Sequence, residues 1–429
     1  MKKIKITEET KKDILSNLLK RNPNQYGKYQ EAVDSILKDV RENGEKAVFE
    51  YTEKFDGFKL TKENFKVTKE EIDNAYALVD SELVEIIKRS KANIVKYHEK
   101  QVRQSFFDAE EPGKLLGQRI TPLERVGVYV PGGKASYPST VLMDVLPAFV
   151  AGVKDIIVCT PCNKDGLVNP VTLVAASIAG ATEIYKCGGA QAIAAMAYGI
   201  ESMKKVDKIV GPGNIYVALA KKAVYGYVNI DSIAGPSEIL VLADETANPK
   251  FVAADLLSQA EHDELASSIL VTTSSKLADD VSTEVEKFTE VLSRKGIIEK
   301  SLENYGYLLV ADNMEDAISV VNEIASEHLE IITKDPWDTM TKVRNAGAIF
   351  LGEYSSEPLG DYFAGPNHTL PTNGTARFFS PLSVDDFIKK SSVIFYSKDA
   401  LKEVKDDIVA FAKSEGLTAH ANSISVRFE

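Results

Sequence analysis

An alternation of short β-branched runs with helix-compatible segments constrains the fold of this chain most. Many of the runs are followed directly by a segment that suits a helix, as parallel strands joined by crossover helices require. The nine runs are RVGVYV, DIIVCT, EIYKCGG, KIVGPG, EILVLAD, SSILVTT, YLLVAD, LEIITK and AGAIFLG. The pattern predicts an α/β fold with largely parallel sheets.

The runs fall into two groups, which suggests two sheet domains of similar build. One group lies between Arg125 and about Gly235, and the other begins at Glu238. A chain of 429 residues also exceeds the size at which one hydrophobic core keeps growing. Two or more domains are therefore the default expectation.

Helices are predicted at both ends of the chain. Residues 8–107 place apolar side chains at spacings of three and four, as on one helix face, with one short strand-like piece. A C-terminal helix is predicted from about Asp399, and Gly416 stands where a glycine commonly ends a helix. A tail that contains His420 follows this helix.

Charge and hydropathy exclude two classes of partner. The 63 acidic residues outnumber the 51 basic ones, and no long Lys/Arg run follows the first few positions, so nucleic acid is not an expected partner. The apolar stretches at residues 145–153 and 192–200 are too short to span a bilayer. No apolar segment follows the basic start MKKIKITEET, so we expect a soluble cytoplasmic protein.

Three cysteines are too few for a disulfide framework in a chain of this length, which fits a reducing compartment. Cys159 and Cys162 form a CxxC, a spacing shared by thioredoxin-like sites and by half of a zinc finger. No second CxxC occurs. Because Cys159 closes the apolar run DIIVCT, we interpret both residues as buried structural cysteines.

Three glycine turns follow predicted strands and open toward helices. They are Tyr129–Gly133, Gly188–Gln191 and Gly211–Asn214. Neither G-x-G-x-x-G nor G-x-x-x-x-G-K-[ST] occurs, so the common nucleotide fingerprints are absent. Each turn alone fits plain turn chemistry. Three in one predicted domain favour a phosphate-bearing ligand, because helix N-termini present backbone N–H groups to phosphate.

The chain has only five histidines, and four of them lie in polar, turn-rich or strand-end contexts. The fifth, His98, is expected in solvent on the amphipathic helix and receives no role. The other four occur as His262 in SQAEH, His328 in SEHLE, His368 in GDYFAGPNH and His420 in the tail. Imidazole and carboxylate side chains together make zinc sites, although a structural histidine remains an alternative for each one alone.

These segments together resemble the histidinol dehydrogenase family over nearly the whole chain from about residue 30. The resemblance rests on ERVGVYVPGG, GGAQAIAAMAYG, VDKIVGPGN, AGPSEILVLAD, DLLSQAEH, SEHLE, AGAIFLGEYSSEPLGDYFAGPNHTLPT and LTAHANSISVR. It implies a zinc-dependent, four-electron oxidation of L-histidinol through L-histidinaldehyde to L-histidine, with two NAD reduced. That reaction is the last step of histidine biosynthesis.

The implied fold has two similar, incomplete Rossmann-like parallel-sheet domains of the aldehyde-dehydrogenase-like kind, with N-terminal helices and a small C-terminal helical tail domain. The predicted parts are an N-terminal helical segment at 1–25, a discontinuous first α/β domain at 26–124 and 238–378 with the metal and catalytic residues, a second α/β domain at 125–237 on the NAD side, and a tail at 379–429 that is swapped toward the partner subunit.

The resemblance also implies a set of site residues, none of which departs from the family pattern. One zinc ion per subunit is bound by Gln259, His262, Asp361 and His420. The substrate contacts are Ser237, Gln259, His262, His328, Asp361, Glu415 and His420, with His368 nearby. The NAD contacts are Tyr129, Gln191 and Asn214. The resemblance also implies that His420 is contributed by the other subunit of a homodimer. Helix spacing alone would not have selected Gln259 as a ligand.

The implied chemistry gives the catalytic roles to Glu327 and His328. Removing a hydride from an alcohol requires a base for the hydroxyl proton, and a neutral histidine titrates in a suitable range, so His328 is assigned this role. The family pattern gives Glu327 the task of activating water for the aldehyde step. It argues against Cys187, which we considered as a thiolate nucleophile because it lies directly before the turn at Gly188.

Three alternatives remain at this stage. A related zinc and NAD dehydrogenase could oxidise another small amino alcohol or polyol, but Ser237, His368 and Glu415 are all present and favour histidinol. A zinc hydrolase with Glu327 as its base would have no use for the three glycine turns. A binding protein without activity would not need Glu327 beside His328.

Overall fold

The computed structural model describes residues 1–21, 27–132 and 137–429. The strands are β1 (Lys2–Lys5), β2 (Phe106–Asp108), β3 (Lys114–Pro122), β4 (Arg125–Tyr129), β5 (Asp155–Cys159), β6 (Glu183–Tyr185), β7 (Lys208–Val210), β8 (Asn229–Ile230), β9 (Glu238–Ala243), β10 (Ser267–Thr272), β11 (Gly306–Val310), β12 (His328–Ile332), β13 (Ala348–Leu351) and β14 (Ile388–Tyr396).

The α-helices of the described residues are α1 (Glu8–Leu19), α2 (Gly27–Asp56), α3 (Lys62–Phe65), α4 (Lys69–Leu78), α5 (Ser81–His98), α6 (Pro138–Ala151), α7 (Pro170–Ala179), α8 (Gly189–Tyr198), α9 (Ile215–Val224), α10 (Pro249–Ala260), α11 (Ser275–Thr289), α12 (Lys295–Tyr305), α13 (Met314–Ile324), α14 (Pro336–Thr341), α15 (Glu357–Leu359), α16 (Lys398–Ser414) and α17 (Thr418–Ser425). The chain forms two compact units, residues 1–101 with 124–387 and residues 102–123 with 388–429.

The first unit contains a six-stranded parallel sheet in the order β1-β11-β10-β9-β12-β13. The central strand β9 is buried along its whole length, because apolar side chains on both faces pack against helices. Ile239, Val241 and Ala243 join one core with residues of α10, α11 and α12, whereas Leu240 and Leu242 join another with residues of α1 and α13. This is the period-two alternation of a sheet covered on both sides.

The same unit contains a five-stranded parallel sheet in the order β6-β5-β4-β7-β8. Strands β5 and β6 follow β4 to one side, and β7 and β8 lie on the other side. The sheet order therefore reverses next to β4, which creates a crevice at the carboxyl ends of β4 and β7 of the kind that binds ligands in open α/β sheets. Helices α2, α4 and α5 pack against α6 to α9 around this sheet.

The second unit is a three-stranded antiparallel sheet with two helices. Its order is β14-β3-β2, and Ile388 of β14 pairs with Pro122 while Tyr396 pairs with Lys114. Helix α16 ends as predicted, with Gly416 in the left-handed region at φ 73°. Helix α17 follows it and carries His420.

The predicted α/β class, the two parallel sheets and the helical C-terminal region are confirmed, and all nine predicted strands are present. The antiparallel sheet of the second unit and the strands β1 and β8 were not predicted. The domain bounds stay a prediction. The boundary at residues 25 and 26 and the predicted turn residue Gly133 lie outside the described residues.

Two expectations about single side chains have different outcomes. His98 was expected in solvent, and that is wrong: its side chain is fully buried and its Nδ1 bonds to Oε1 of Gln101 at 2.8 Å. The three cysteines are free and buried, as the structural interpretation predicted. Among the described residues, no helix combines the length and the apolar character needed to cross a bilayer.

Candidate active site

The predicted catalytic pair lies at the amino end of β12, beside the amino end of β9. His328 is the first residue of β12 and pairs with Ile239 of β9, so the two strands begin side by side. The side chain of Glu327 accepts a hydrogen bond from the backbone N–H of Glu238 at 2.8 Å. The side chain of Glu238 in turn accepts one from the backbone N–H of Glu327 at 3.3 Å. These reciprocal bonds fix the carboxyl of Glu327.

The hydrogen bonding of His328 determines which of its nitrogens can act as a base. Its Nδ1 lies 2.9 Å from the backbone carbonyl oxygen of Glu238. A carbonyl oxygen only accepts, so Nδ1 carries the hydrogen and Nε2 carries the lone pair of the neutral ring. Nε2 is buried and has no hydrogen-bond partner in the structure. It is therefore free to take a proton from a ligand.

Asp361 and His368 reach the same place from a different segment. Asp361 lies in a single π-helical turn, Gly360–Ala364, that directly follows α15. Its Oδ1 is 3.6 Å from Nδ1 of His368 and 4.0 Å from Nε2 of His328. The side chains of Asn367 and Thr369 anchor this segment to α6. Nδ2 of Asn367 donates to the carbonyl of Met143 at 2.6 Å, and Oγ1 of Thr369 donates to the carboxylate of Asp144 at 2.7 Å.

Burial and charge set the protonation states of this cluster. Burial raises the pKa of Glu327 well above its ordinary value, and repulsion from the neighbouring carboxyls adds to the effect although a backbone hydrogen bond opposes it. Burial lowers the pKa of His328, which favours the neutral ring. Burial opposes ionisation of Asp361, but His368 and the two other imidazoles nearby lower its pKa to about 2. Burial opposes the charged form of His368, but its contact with the carboxylate of Asp361 raises the pKa of His368 overall.

Gln259 and His262 lie at the end of α10, which returns from the carboxyl end of β9 to the amino end of β10. Gln259 is buried, and its Oε1 has no hydrogen-bond partner. The residue His262 keeps an exposed surface, but burial of its ring lowers its pKa. The ring in turn contributes to the lowered pKa of Asp361. Ser237 is half-buried directly before β9, and its carbonyl accepts the N–H of Ser267 at 3.0 Å.

Sequence reasoning missed Glu357. One donor atom each of His328, Glu357 and Asp361 lie within 4.8 Å of one another, so these three could hold a metal ion. Glu357 is 2% exposed and accepts a hydrogen bond from Oγ of Ser258 at 2.9 Å. Burial and repulsion from Asp361 raise its pKa to about 8. The available signal was its position four residues before Asp361, about one helical turn away.

The predicted NAD residues lie at the carboxyl edge of the five-stranded sheet. Tyr129 ends β4, and its hydroxyl oxygen accepts the N–H of Gly189 at 3.1 Å. Asn214 follows β7 and caps α9, accepting from the N–H groups of Tyr216 and Val217. Gln191 is buried in α8, and its Oε1 has no partner. Tyr129 and Asn214 thus lie at the ends of β4 and β7, the two strands beside the reversal of strand order, and Gln191 lies in the helix whose Gly189 N–H binds Tyr129.

Gly211 explains how two of these loops approach each other closely. Its φ is 114°, a backbone conformation that L side chains rarely adopt, and a Cβ there would lie 2.1 Å from the carbonyl oxygen of Tyr129. Its N–H donates to Asp231 at 2.8 Å, and its carbonyl accepts from the buried amine of Lys221 at 2.8 Å. Only glycine fits this position, so the first glycine of the turn GPGN has a packing reason.

Glu415 and His420 belong to the second unit, and both are exposed. The structure therefore brings Glu327, His328, Asp361 and His368 together in the first unit, with His262 close enough to act on their charges. It describes Gln259 in the same unit but gives no contact between it and Asp361. The four-residue zinc set predicted from the sequence stays a prediction.

A crevice at a reversal of strand order in one parallel sheet and an imidazole–carboxylate cluster beside the other are the arrangement expected of an α/β enzyme. Residues 19–428 match the sequence profile of the histidinol dehydrogenase family. The chain belongs to the histidinol dehydrogenase family, and it is an NAD-dependent oxidoreductase of histidine biosynthesis.

Similar proteins extend over the whole fold. The histidinol dehydrogenase of Clostridium acetobutylicum is 58% identical over 397 residues, which cover 92% of each chain. That of Geobacillus kaustophilus is 59% identical over 398 residues and 93% of each chain. The crystal structure of histidinol dehydrogenase from Elizabethkingia anophelis superposes with a TM-score of 0.93 at 40% identity, covering 100% of this chain and 98% of the other. The predicted family is confirmed.

Proposed function

We propose that this chain oxidises L-histidinol through L-histidinaldehyde to L-histidine in one site, with Glu327 and His328 as the catalytic residues, one zinc ion per subunit and two NAD reduced. The observation that carries the proposal is that the buried Glu327 and His328 meet the half-buried Asp361 and His368. Two segments that are distant in sequence place a free imidazole nitrogen next to an ionised carboxylate.

The donor groups fit a zinc ion held by Gln259, His262, Asp361 and His420. A buried amide oxygen without a partner is costly unless a ligand satisfies it, and Oε1 of Gln259 is such an atom. Imidazole nitrogens and carboxylate oxygens are ordinary zinc ligands, although an amide oxygen is a less common one. When bound, zinc supplies orientation, because it can hold the imidazole and amine of the substrate without taking part in the redox change.

The crevice between β4 and β7 fits NAD through Tyr129, Gln191 and Asn214. Oε1 of Gln191 is again a buried acceptor without a partner, and the N-termini of α8 and α9 open at the same edge. Helix α8 has no side-chain cap, so N–H groups of its first turn can bind phosphate, whereas Asn214 already accepts two such groups at the start of α9. NAD, when bound, accepts one hydride in each oxidation.

His328 carries the proton chemistry of the first oxidation. Its Nδ1–H is held by the carbonyl of Glu238, so Nε2 takes the hydroxyl proton of the alcohol as the hydride leaves its carbon. Asp361, 4.0 Å from Nε2, stabilises the imidazolium that results. Ser237 and Glu415 would bind the polar and cationic ends of the substrate, with His368 nearby.

Glu327 carries the step that makes a second hydride available. Its carboxylate takes a proton from water while the water oxygen attacks the aldehyde carbon, and the imidazolium of His328 returns its proton to the former carbonyl oxygen, which gives the hydrate and leaves His328 neutral. His328 then takes a hydroxyl proton of the hydrate as the second hydride leaves, and the acid is formed. Burial raises the pKa of Glu327, which makes its carboxylate a stronger base toward water. Retaining the aldehyde between the two steps would protect it from side reactions.

We infer that the active unit is a homodimer in which His420 and Glu415 serve the partner's site. Both are exposed in the described chain, at the end of α16 and in α17. The test mixes two inactive variants, His420→Asn and Glu327→Gln, after dissociation. Recovery of up to about a quarter of wild-type activity is expected if each site combines residues of two subunits, whereas no recovery would assign His420 to its own subunit's site.

The function itself is tested by absorbance at the NADH wavelength. Histidinol with NAD should give two NADH for each histidinol, and chelation should abolish this until zinc is restored. A silent reaction with histidinol but turnover of another small amino alcohol or polyol would instead favour the related dehydrogenase. Undiminished turnover of histidinol after complete removal of metal would contradict the role given to zinc.

A further inference from the structure

We propose that Arg21 and Glu238 form a buried positioning pair that holds Glu327 and His328 in their reactive geometry. The inference rests on the proposed catalytic roles of those two residues. Neither Arg21 nor Glu238 is expected to touch the substrate. Both act through the catalytic pair.

Arg21 is an unusually buried arginine for a residue so near the start of the chain. It follows α1 and has no exposed surface. One of its guanidinium N–H groups donates to the carboxylate of Glu238, another donates to the carbonyl of Leu265 at 3.0 Å, and the group lies 5.2 Å from the ring centroid of Tyr305. A charge taken out of water in this way is retained only where a partner and further hydrogen bonds compensate it.

Glu238 links this cation to both catalytic residues. Its Oε1 binds Arg21, and its Oε2 accepts the backbone N–H of Glu327 at 3.3 Å. Its own backbone N–H donates to the carboxyl of Glu327 at 2.8 Å, and its carbonyl accepts Nδ1–H of His328 at 2.9 Å. Three bonds to the catalytic pair thus leave from one residue, whose side chain is fixed from the opposite side by Arg21.

The ladder between β12 and β9 does not itself join Glu238 to Glu327, because its pairing begins at His328 and Ile239. The backbones of the two residues are held by other neighbours, since Glu238 pairs with Ser267 of β10 and the carbonyl of Glu327 accepts the N–H of Ala348 at 2.8 Å. Their reciprocal bonds therefore add to the ladder at the point where it ends. Without Arg21, the buried carboxylate of Glu238 would lose its compensating charge and would have to take up a proton or turn away, and either change removes order from Glu327.

The test compares variants of this pair with a matched pair in the other sheet. Arg21→Met removes the cation but keeps apolar bulk, Arg21→Lys restores a cation, and Glu238→Gln keeps an acceptor for the N–H of Glu327. The control is Arg125→Met, which breaks the ion pair of Arg125 with Glu183 at the amino ends of β4 and β6. Thermal unfolding is measured for each zinc-loaded enzyme, together with kcat and KM for histidinol and for histidinaldehyde.

We expect Arg21→Met to lower kcat at least about tenfold in both half-reactions while KM for histidinol changes by less than about threefold, because a displacement of catalytic groups acts mainly on the reacting geometry. Arg21→Lys should recover most of kcat. Arg125→Met should lower the unfolding temperature but keep kcat within about twofold. Should Arg21→Met fail to fold, Glu238→Gln supplies the same comparison, with a loss of kcat expected and a smaller change in KM.

A wild-type kcat for folded Arg21→Met or for Glu238→Gln would overturn the proposal, as would a loss confined to KM. The outcome is separable from that of the proposed function. If Glu327→Gln and His328→Gln are severely impaired while the Arg21 and Glu238 variants are not, only the positioning role fails. If Glu327→Gln and His328→Gln are themselves active, the catalytic assignment fails first.

Discussion

The two parallel sheets of the first unit offer their polar groups at opposite ends. The five-stranded sheet places Tyr129, Gln191 and Asn214 at its carboxyl edge, where helices α8 and α9 begin. The six-stranded sheet places Glu327 and His328 at its amino edge, where helix α10 ends. Helix N-termini favour anions and helix C-termini favour cations. The carboxyl edge of the five-stranded sheet therefore suits the phosphates of NAD, and the amino edge of the six-stranded sheet suits a metal ion.

The strongest test of this comparison is to remove Glu327, the base that we assign to the amino edge of the six-stranded sheet. Glu327→Gln keeps the size of the side chain and an oxygen that can accept the N–H of Glu238, but it cannot take a proton from water. We expect aldehyde oxidation to fall about 10²- to 10⁴-fold, the usual contribution of a general base, and alcohol oxidation to fall less. Single-turnover assays on histidinol and histidinaldehyde separate the two steps. Equal losses would refute the assignment.

A second test asks whether the metal belongs to the amino edge. Asp361→Asn removes the ionised carboxylate that we assign to the zinc ion, so we expect zinc affinity to fall about 100-fold or more, with activity restored only at high zinc. Zinc content after dialysis is the measurement. The matched control is Asp244→Asn, at the carboxyl end of β9, where the carboxylate accepts the N–H of Lys334 at 2.7 Å. A zinc loss of similar size in that control would contradict the comparison.

The pH dependence of the amino edge follows from the lowered pKa of His328. A base must be neutral, so kcat/KM for histidinol should be level above the pKa and fall about tenfold per pH unit below it. Because burial lowers this pKa from its ordinary 6.5, the acid limb should lie below pH 6.5. His98→Asn is the control, since His98 is also buried with a lowered pKa but binds Gln101. A shift of the acid limb in His98→Asn would show that the limb reports general unfolding and not the protonation of His328.

The carboxyl edge is tested by two helix caps of the same chemistry. Asn214 caps α9 in the crevice, and Asn169 caps α7 in the same way, each accepting two backbone N–H groups. Replacement of either by alanine should cost about 1 kcal/mol of unfolding free energy. Only Asn214→Ala should also raise KM for NAD, by about tenfold for one lost contact. An equal rise in Asn169→Ala would show that the cap, and not a contact, is responsible.

The sequence predicted the carboxyl edge better than the amino edge. Glycine turns after strands can be recognised in the sequence, because a residue such as Gly211 must adopt a conformation that other residues avoid. The amino edge has no such mark: Glu238 and Glu327 are 89 positions apart and meet only because β9 and β12 pair. Resemblance to a family, and not spacing, selected Gln259 and Glu327.

Other misses have equally physical causes. Strands β3 and β14 lie far apart in sequence, and their mostly exposed or half-exposed side chains leave no clear alternation to read. His98 stands among charged neighbours in sequence, yet its ring faces inward with Gln101. Glu357 stands four residues before Asp361, but only the fold shows that the two carboxyls meet beside His328.

The smallest expected effect concerns Cys187, which sits at the carboxyl edge directly before the turn at Gly188. If the aldehyde were oxidised there through a thiolate, this cysteine would be indispensable. A hydrogen bond with Cys159 and burial raise its pKa well above the ordinary value, which disfavours the thiolate. We expect Cys187→Ala to lower the unfolding free energy by about 1 kcal/mol and to leave aldehyde oxidation within about twofold. A hundredfold loss in a stable variant would move the aldehyde chemistry to the carboxyl edge.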